Sequence, residues 1–412
     1  MDETALSLWR NRSFLRLWIA QIVSNVGTSI TNVALPLTAV LVLGATPAQM
    51  GLLGIAGSLP NLIFGLFAGV WVDRTRRRPI LVGADLGRAL LLGSIPVAAL
   101  LGHLTFLQLW IVGFLAGSLT VFFQIASIAI LPSLVARTQL VEANSKLSMT
   151  DSAIAIAGPS LAGGLIQLLS APRAIIADAV SYVLSALSLG GIGASEPRRV
   201  RERGNVWVEV GAGIRELVGT PLLRTLTLTS SVGTLAGAMQ GAVLVLFLAR
   251  ELRFTPAVIG LVFAAGGAGS LLGALCAGRV ARRIGLGSTL TLGKAFWFIG
   301  AAVVPLSGRN LPFIAIGQLL AGVGITLYIV NQISLRQALT PVGLLGRVTA
   351  ARRFLLFGTA SVGSLVGGFL GGTIGLRPTL LVGAATLGVE LALVVFSPIR
   401  RVRGMGTETI HS

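Results

Sequence analysis

In a chain of 412 residues with only 11% charged side chains, the residues able to do chemistry are few enough to take one by one. Gln21, Asn25, Thr28 and Asn32 recur at spacings of four, three and four, which on a helix places them on one face. Inside an apolar run such a stripe must turn toward other helices or a hydrated cavity. Its chemistry is hydrogen bonding, either to a solute or between helices, and both readings stay open. Asp85 and Arg88 stand three apart and can pair on one helical face. Asp178 lies in another apolar run, about a turn from its outer end, as a candidate outer latch. Glu390 sits in the middle of the last run with no cation within a turn, a candidate proton carrier or a packing residue. Gly158, Pro159 and Gly163 strip side chains from one stretch of helix, and Pro159 frees a carbonyl a turn back. Two histidines and the single Cys276 are too few for a metal site or a disulfide framework. The nearest approach to a nucleotide loop, Ser288–Ala295, lacks both the first Gly and the final Ser/Thr. Neither a cofactor nor an enzyme activity is expected.

These residues need elements to hold them, and the composition says which. With 54% hydrophobic residues and so few charges, water-soluble domains could not be covered. A bilayer core about 30 Å thick takes roughly 20 apolar residues per helix. Runs of that length fall at about 16–42, 49–72, 80–101, 106–131, 149–170, 173–194, 223–249, 257–280, 287–306, 311–335, 350–374 and 377–398. The charged Met1–Arg12 segment leads straight into the first run without a cleavage pattern, so that helix is expected to be kept. Twelve crossings divide the 32 basic residues as 25 on the side of the termini and five on the other, with Arg88 and Lys294 inside spans. That bias predicts cytoplasmic termini in a plasma (inner) membrane protein. It also accounts for the net charge of +18 without any nucleic-acid partner.

The longest polar interval, residues 195–221, separates an N-terminal bundle of six spans, 1–194, from a C-terminal bundle of six spans and a short tail, 222–412. Within it Trp207, Val210, Ile214 and Leu217 fall at helical spacing and predict a short helix on the inner membrane surface. The halves repeat weakly at half the chain length. The arginines of GVWVDRTRRRPIL from Gly69 align with those of AGRVARRIGLGSTL from Ala277, and SLAGG at Ser160 aligns with SLVGG at Ser364. The expected fold is an all-α polytopic membrane protein with twelve transmembrane helices in two pseudo-symmetric six-helix bundles.

The segment Gly69-Val-Trp-Val-Asp73-Arg74-Thr-Arg-Arg77-Arg78 resembles the signature loop of the major facilitator superfamily, with Arg76 where many members have Gly. Its second copy has Gly278 in place of the acid. Gly158-Pro159-Ser-Leu-Ala162-Gly163 is similar to the Gly-Pro motif of the antiporter branch, with Ala162 replacing a Gly. ILPSLV from Ile130, EAN from Glu142, ADLGRA from Ala84, ADAVSYV from Ala177 and TPVGLLGRVTA from Thr340 resemble the branch of macrolide and siderophore (enterobactin-type) exporters. The resemblance covers the whole chain.

It implies that Asp73 acts on a cytoplasmic gate, with Arg352 or Arg353 at the start of the eleventh helix as its partner; the Asp85–Arg88 pair, close to the inner surface, is expected to be a structural ion pair tied to that gate. Gly69, a turn before Asp73, would let a neighbouring helix approach closely. In the superfamily the first, fourth, seventh and tenth spans line the cavity, which adds Gln124, Thr234, Gln240, Tyr328 and Asn331 to the stripe. Walls of Leu, Val, Phe and Gly suit a bulky, amphipathic solute. The resemblance implies alternating access and proton-coupled multidrug-type efflux of drug-like or siderophore-like molecules, with small solute, protons and lipid as partners and no obligate protein partner. Many of these exporters carry an acid near the place of Thr28, and none stands there, so the coupling residue is unassigned. An importer of a small organic solute with the same fold is the alternative.

Overall fold

The computed structural model describes residues 8–65, 67–193 and 206–402. Among these residues there are α-helices, a few single turns of other helix types and no strand. The helices are α1 (Arg12–Leu41), α2 (Pro47–Phe64), α3 (Phe67–Arg74), α4 (Arg77–Leu100), α5 (Phe106–Leu134), α6 (Leu140–Leu169) and α7 (Ala171–Gly190). After the linker come α8 (Val206–Gly219), α9 (Pro221–Leu246), α10 (Pro256–Ile284), α11 (Leu286–Leu306), α12 (Leu311–Leu339), α13 (Leu345–Thr373) and α14 (Leu376–Val395). The second expected span appears as α2 followed by α3, and α8 is the linker helix; the rest match the expected spans one to one, giving twelve. Ten of the helices are long and apolar enough to cross a bilayer. α1 is long enough at 30 residues, but the polar stripe lowers its hydropathy.

Packing divides the chain into two compact units that change over at Leu43/Gly44, at Leu59/Pro60 and between α7 and α8. In the first unit α1 packs on α6 and α7, while α4 packs on α5 and α7. In the second, α9 packs on α13 and α14, while α11 packs on α12 and α14. The pairings match helix for helix, so the weak sequence repeat corresponds to a repeated packing plan. The backbone repeats too: Ser170 before α7 has φ 80° and ψ 157°, and Gly375 before α14 has φ 92° and ψ 167°.

Most of α2, from Pro47 to Leu59, belongs to the second unit, unlike the expected division at the linker. Small residues explain this. A Cβ on Gly51 would lie 2.6 Å from the Ser364 carbonyl oxygen, and one on Gly368 would lie 2.8 Å from the Gly51 Cα. The Ser58 and Ser361 hydroxyls are hydrogen-bonded at 2.8 Å. Without side chains in between, the α2 and α13 backbones meet closely, the way helices associate where lipid offers no hydrophobic drive.

Helix α8 forms where the linker spacing predicts it, and of the apolar face expected there Leu217 is buried while Ile214 is exposed. Leu217 packs with Leu223, Val348 and Ala351, and a Cβ on Gly213 would lie 2.3 Å from the Arg347 carbonyl oxygen. Ile214 is 36% exposed. Contact with α13 through Gly213 and Leu217 sets the rotation, and apolar spacing alone does not register a glycine as a contact face. The Trp207 and Val210 side chains, and the basic run Arg198–Arg203, lie outside the described residues.

Candidate functional site

The polar stripe of α1 is tied to its neighbours at two points. Asn25 Nδ2 donates to Asp151 Oδ1 of α6 at 2.8 Å. The Thr28 hydroxyl lies 2.8 Å from the Tyr182 hydroxyl of α7 and 2.8 Å from the Ser24 carbonyl. Gln21 is half-buried, and Asn32 and Gln124 are exposed. Asp151 is exposed as well, a carboxylate partway along a membrane-spanning helix. Sequence reasoning missed it because it falls near the edge of the expected fifth span. Its spacing of seven from Gly158 was the available signal, for Gly158 faces α1 also: a Cβ there would lie 2.6 Å from Ser29 Cβ. The Gly-Pro stretch with buried Gly163 thus serves close α1–α6 contact. Asp151 of α6 thus sets a carboxylate beside α1, a helix with no acidic residue of its own.

Behind the stripe lies a buried ionic cluster on α4, α5 and α7. Asp85 and Arg88 are paired, at 0% and 2% exposure. The Ser185 hydroxyl donates to Asp85 Oδ2 at 2.6 Å. The Arg88 guanidinium lies 4.4 Å from the centre of the Phe123 ring and 4.1 Å from that of Tyr182, a cation held against two π faces. Asp178 is fully buried close by. It does not reach the outer surface as the latch expected of it. Ser181 donates to its Oδ1 at 3.1 Å, and Thr31 of α1 stands beside it without closing a hydrogen bond.

The second unit repeats this arrangement with the cation on the corresponding helix and the acid on a different one. Lys294 of α11 pairs with Glu390 of α14 at 2% and 1% exposure. Its ammonium lies 3.6 Å from the centre of the Tyr328 ring and 4.7 Å from that of Trp297. Glu390 therefore has a cation after all, supplied by a neighbouring helix that spacing along α14 cannot reveal. The Lys294 ammonium donates to Glu390 Oε1, and among the described residues no other group compensates the carboxylate. Gly233 of α9 leaves the room, since a Cβ there would lie 2.4 Å from Glu390 Oε1.

Three residues expected on the cavity wall are turned into this unit instead. Tyr328 is 3% exposed and its hydroxyl lies 3.1 Å from that of Ser230, because its ring is committed to Lys294. Asn331, 4% exposed, donates back to the Leu327 carbonyl. Gln240 donates to the Leu380 carbonyl at 3.0 Å, in the space left by Gly383. Thr234 is half-buried.

In the signature loop, the Asp73 side chain lies outside the described residues. Arg74 is exposed. Arg77 is half-buried and begins α4. Arg78 donates to the Gly190 carbonyl and Arg16 to that of Gly191, two cations on the final carbonyls of α7, where the helix dipole favours them. Nothing lies within 4 Å of a Cβ on Gly69, so the close approach expected there is not made; α3 meets α5 through Trp71 on Phe122 at 5.3 Å instead. Arg352 donates to the Ser230 hydroxyl at 3.1 Å, half-buried near the buried Arg336, and Arg353 is exposed.

Comparison with known proteins agrees with this architecture. A family model described as transmembrane secretion effector matches residues 3–410. The chain is 29% identical over 399 residues to the multidrug efflux pump Tap of Mycolicibacterium fortuitum, covering 93% of this chain and 95% of that one. It is 25% identical over 405 residues to the enterobactin exporter EntS of Salmonella typhi, covering 95% and 94%. A solved bacterial homologue of the iron transporter ferroportin, in its inward-facing state, matches with a TM-score of 0.75 at 18% identity over 93% of this chain and 98% of that one. A bacterial homologue of the human lysosomal transporter Spinster matches at 0.72 and 14%, over 94% and 96%. At such identities the two structures speak for the fold alone. With twelve spans, a repeated helix plan and a family match along nearly its entire length, the chain belongs to the transmembrane secretion effector family of the major facilitator superfamily, multi-pass membrane transporters and not enzymes.

Proposed function

We propose that the protein is a proton-coupled secondary exporter of amphipathic, drug-like or siderophore-like small molecules, working by alternating access between its two bundles. The observation that carries this reading is the polar face of α1, where Asn25 is held by the exposed carboxylate of Asp151 and the exposed Asn32 lies two turns further on. Polar groups at membrane depth are costly unless they meet water or a solute, and the mostly apolar helices around them favour a solute with a large apolar body. Export as the direction is supported by two relatives, a multidrug efflux pump and an enterobactin exporter, that align over more than nine-tenths of both chains. The distribution of arginines supports cytoplasmic termini. In this reading Asp73 biases the cytoplasmic gate.

The test is dye accumulation in bacteria deleted for their own pumps. Expression of the chain lowers the steady-state level of ethidium, and an uncoupler abolishes the effect. Extrusion that survives collapse of the proton gradient overturns the coupling, and a raised dye level in expressing cells overturns the direction in favour of import.

A further inference from the structure

Asp178 is buried to 0% exposure, and the groups facing it can be named helix by helix. From α1 come Gly27 and Thr31, both uncharged. A Cβ on Gly27 would lie 2.3 Å from Asp178 Oδ1, so the α1 backbone rests directly on the carboxylate. From α4 come Asp85 and Arg88. From α7 itself come Ser181, bonded to Oδ1, and Tyr182 one turn on. No α6 group is among those that act on Asp178; the carboxylate of its Asp151 faces Asn25. Among the described residues Asp178 Oδ2 closes no hydrogen bond of normal geometry, and the hydroxyl that faces the carboxyl from α1 is that of Thr31.

The charges in this cluster do not balance. Two carboxylates share one cation, and Arg88 is already committed to Asp85 and to the two rings that flank it. A buried carboxylate without a counter-ion is strongly disfavoured in its ionised form. The corresponding cluster of the second unit holds one acid and one cation, Glu390 and Lys294, and needs nothing more. One proton on Asp178 Oδ2 brings the first unit to the same neutrality.

We propose that Asp178 is the residue that takes up and releases the transported proton, an assignment that rests on the proton-coupled reading above. A proton from the side of higher activity forms an O–H bond at Oδ2, and release to the other side breaks that same bond; no other bond changes. Ionised Asp178 places an excess negative charge against α1 at Gly27, and the protonated form removes it. The adjoining face of α1 carries Asn25, Thr28 and Asn32, and Thr28 is bonded to Tyr182, one turn beyond Asp178. The charge state therefore acts on the helix that presents the solute-facing stripe.

The full chain in proteoliposomes tests this with ethidium as probe and with infrared difference spectra recorded across pH. Wild-type protein accumulates ethidium under an imposed pH gradient and shows the carbonyl stretch of a protonated, buried carboxylic acid. Asp178→Asn loses that band and its gradient-driven accumulation falls to the level of empty liposomes, while ethidium still equilibrates down its own gradient; Asp151→Asn keeps the band. A second variant, Ser181→Ala, removes the hydroxyl from Oδ1 and shifts the pH midpoint of the band and of pumping together, which keeps the assignment open to refutation if D178N does not fold. A band that persists in D178N, pumping that D178N retains, or midpoints unmoved in S181A overturns the assignment and leaves proton coupling intact. Wild-type pumping that ignores the pH gradient overturns the coupled reading itself, and the carrier role with it.

Discussion

Lys294 Nζ stands 3.6 Å from the centre of the Tyr328 ring while pairing with Glu390. Arg88, half the chain length earlier, stands 4.1 Å from the centre of the Tyr182 ring while pairing with Asp85. Gly27 and Gly233 are also half a chain apart, and each clears space on the opening helix of its unit for a carboxylate of the closing helix. Each unit is thus built around a buried cation on a tyrosine, with the acid drawn from the cation's own helix in the first unit and from a neighbouring helix in the second.

Breaking the second pair tests whether it is structural. Lys294→Met leaves Glu390 as a buried charge with no hydrogen bond, and removing one partner of such a pair costs about 3–5 kcal/mol. The thermal midpoint in detergent falls, and adding Glu390→Gln recovers most of it. A single variant as stable as wild type removes the structural reading.

Glycine substitutions separate close contacts from open ones. Gly27→Ala would set a methyl 2.1 Å from Ser181 Oγ, and Gly363→Ala one 2.4 Å from the Leu235 carbonyl oxygen, so both lower the yield of folded protein. Gly69→Ala and Gly164→Ala, where nothing lies within 4 Å, leave it unchanged. Monodisperse yield by size-exclusion chromatography reads the difference.

The α2–α13 seam can be locked. In a background where the exposed Cys276 is replaced by Ser, Gly54→Cys with Ser364→Cys faces two thiols where a Gly54 Cβ would lie 3.0 Å from Ser364 Cβ, so a disulfide closes once the helices ease apart to the roughly 3.5–4.5 Å that it spans. Oxidation halts ethidium efflux and reductant restores it. Efflux unaffected by a bond shown to have formed means that this seam stays closed through the cycle.

Ser170 holds φ 80° and ψ 157°, a region essentially reserved for glycine that costs other residues about 1–3 kcal/mol. Its counterpart in the repeat is Gly375. Ser170→Gly raises the thermal midpoint, and Gly375→Ser lowers it.

Asp73→Asn impairs efflux without lowering expression if the acid works on the gate. Unchanged turnover at equal membrane levels leaves the loop with only a topological role, which its arginines alone fulfil.

The span count, the repeat and the linker helix were legible from the sequence because hydrocarbon thickness and helical period act on neighbours along the chain. The Asp85–Arg88 pair was legible for the same reason, being three residues apart on one helix. Partners from other helices were not. Lys294 reaching Glu390, Asp151 reaching Asn25 and Gly27 making way for Asp178 all depend on how α1, α6, α7, α11 and α14 rotate about their own axes. That rotation is set by where small residues let backbones meet, and a one-dimensional pattern of apolar and polar residues leaves it undetermined. The sequence by itself determined that this chain crosses a bilayer twelve times in two related halves; the tertiary structure decided which buried acids have a cation and which one lacks it.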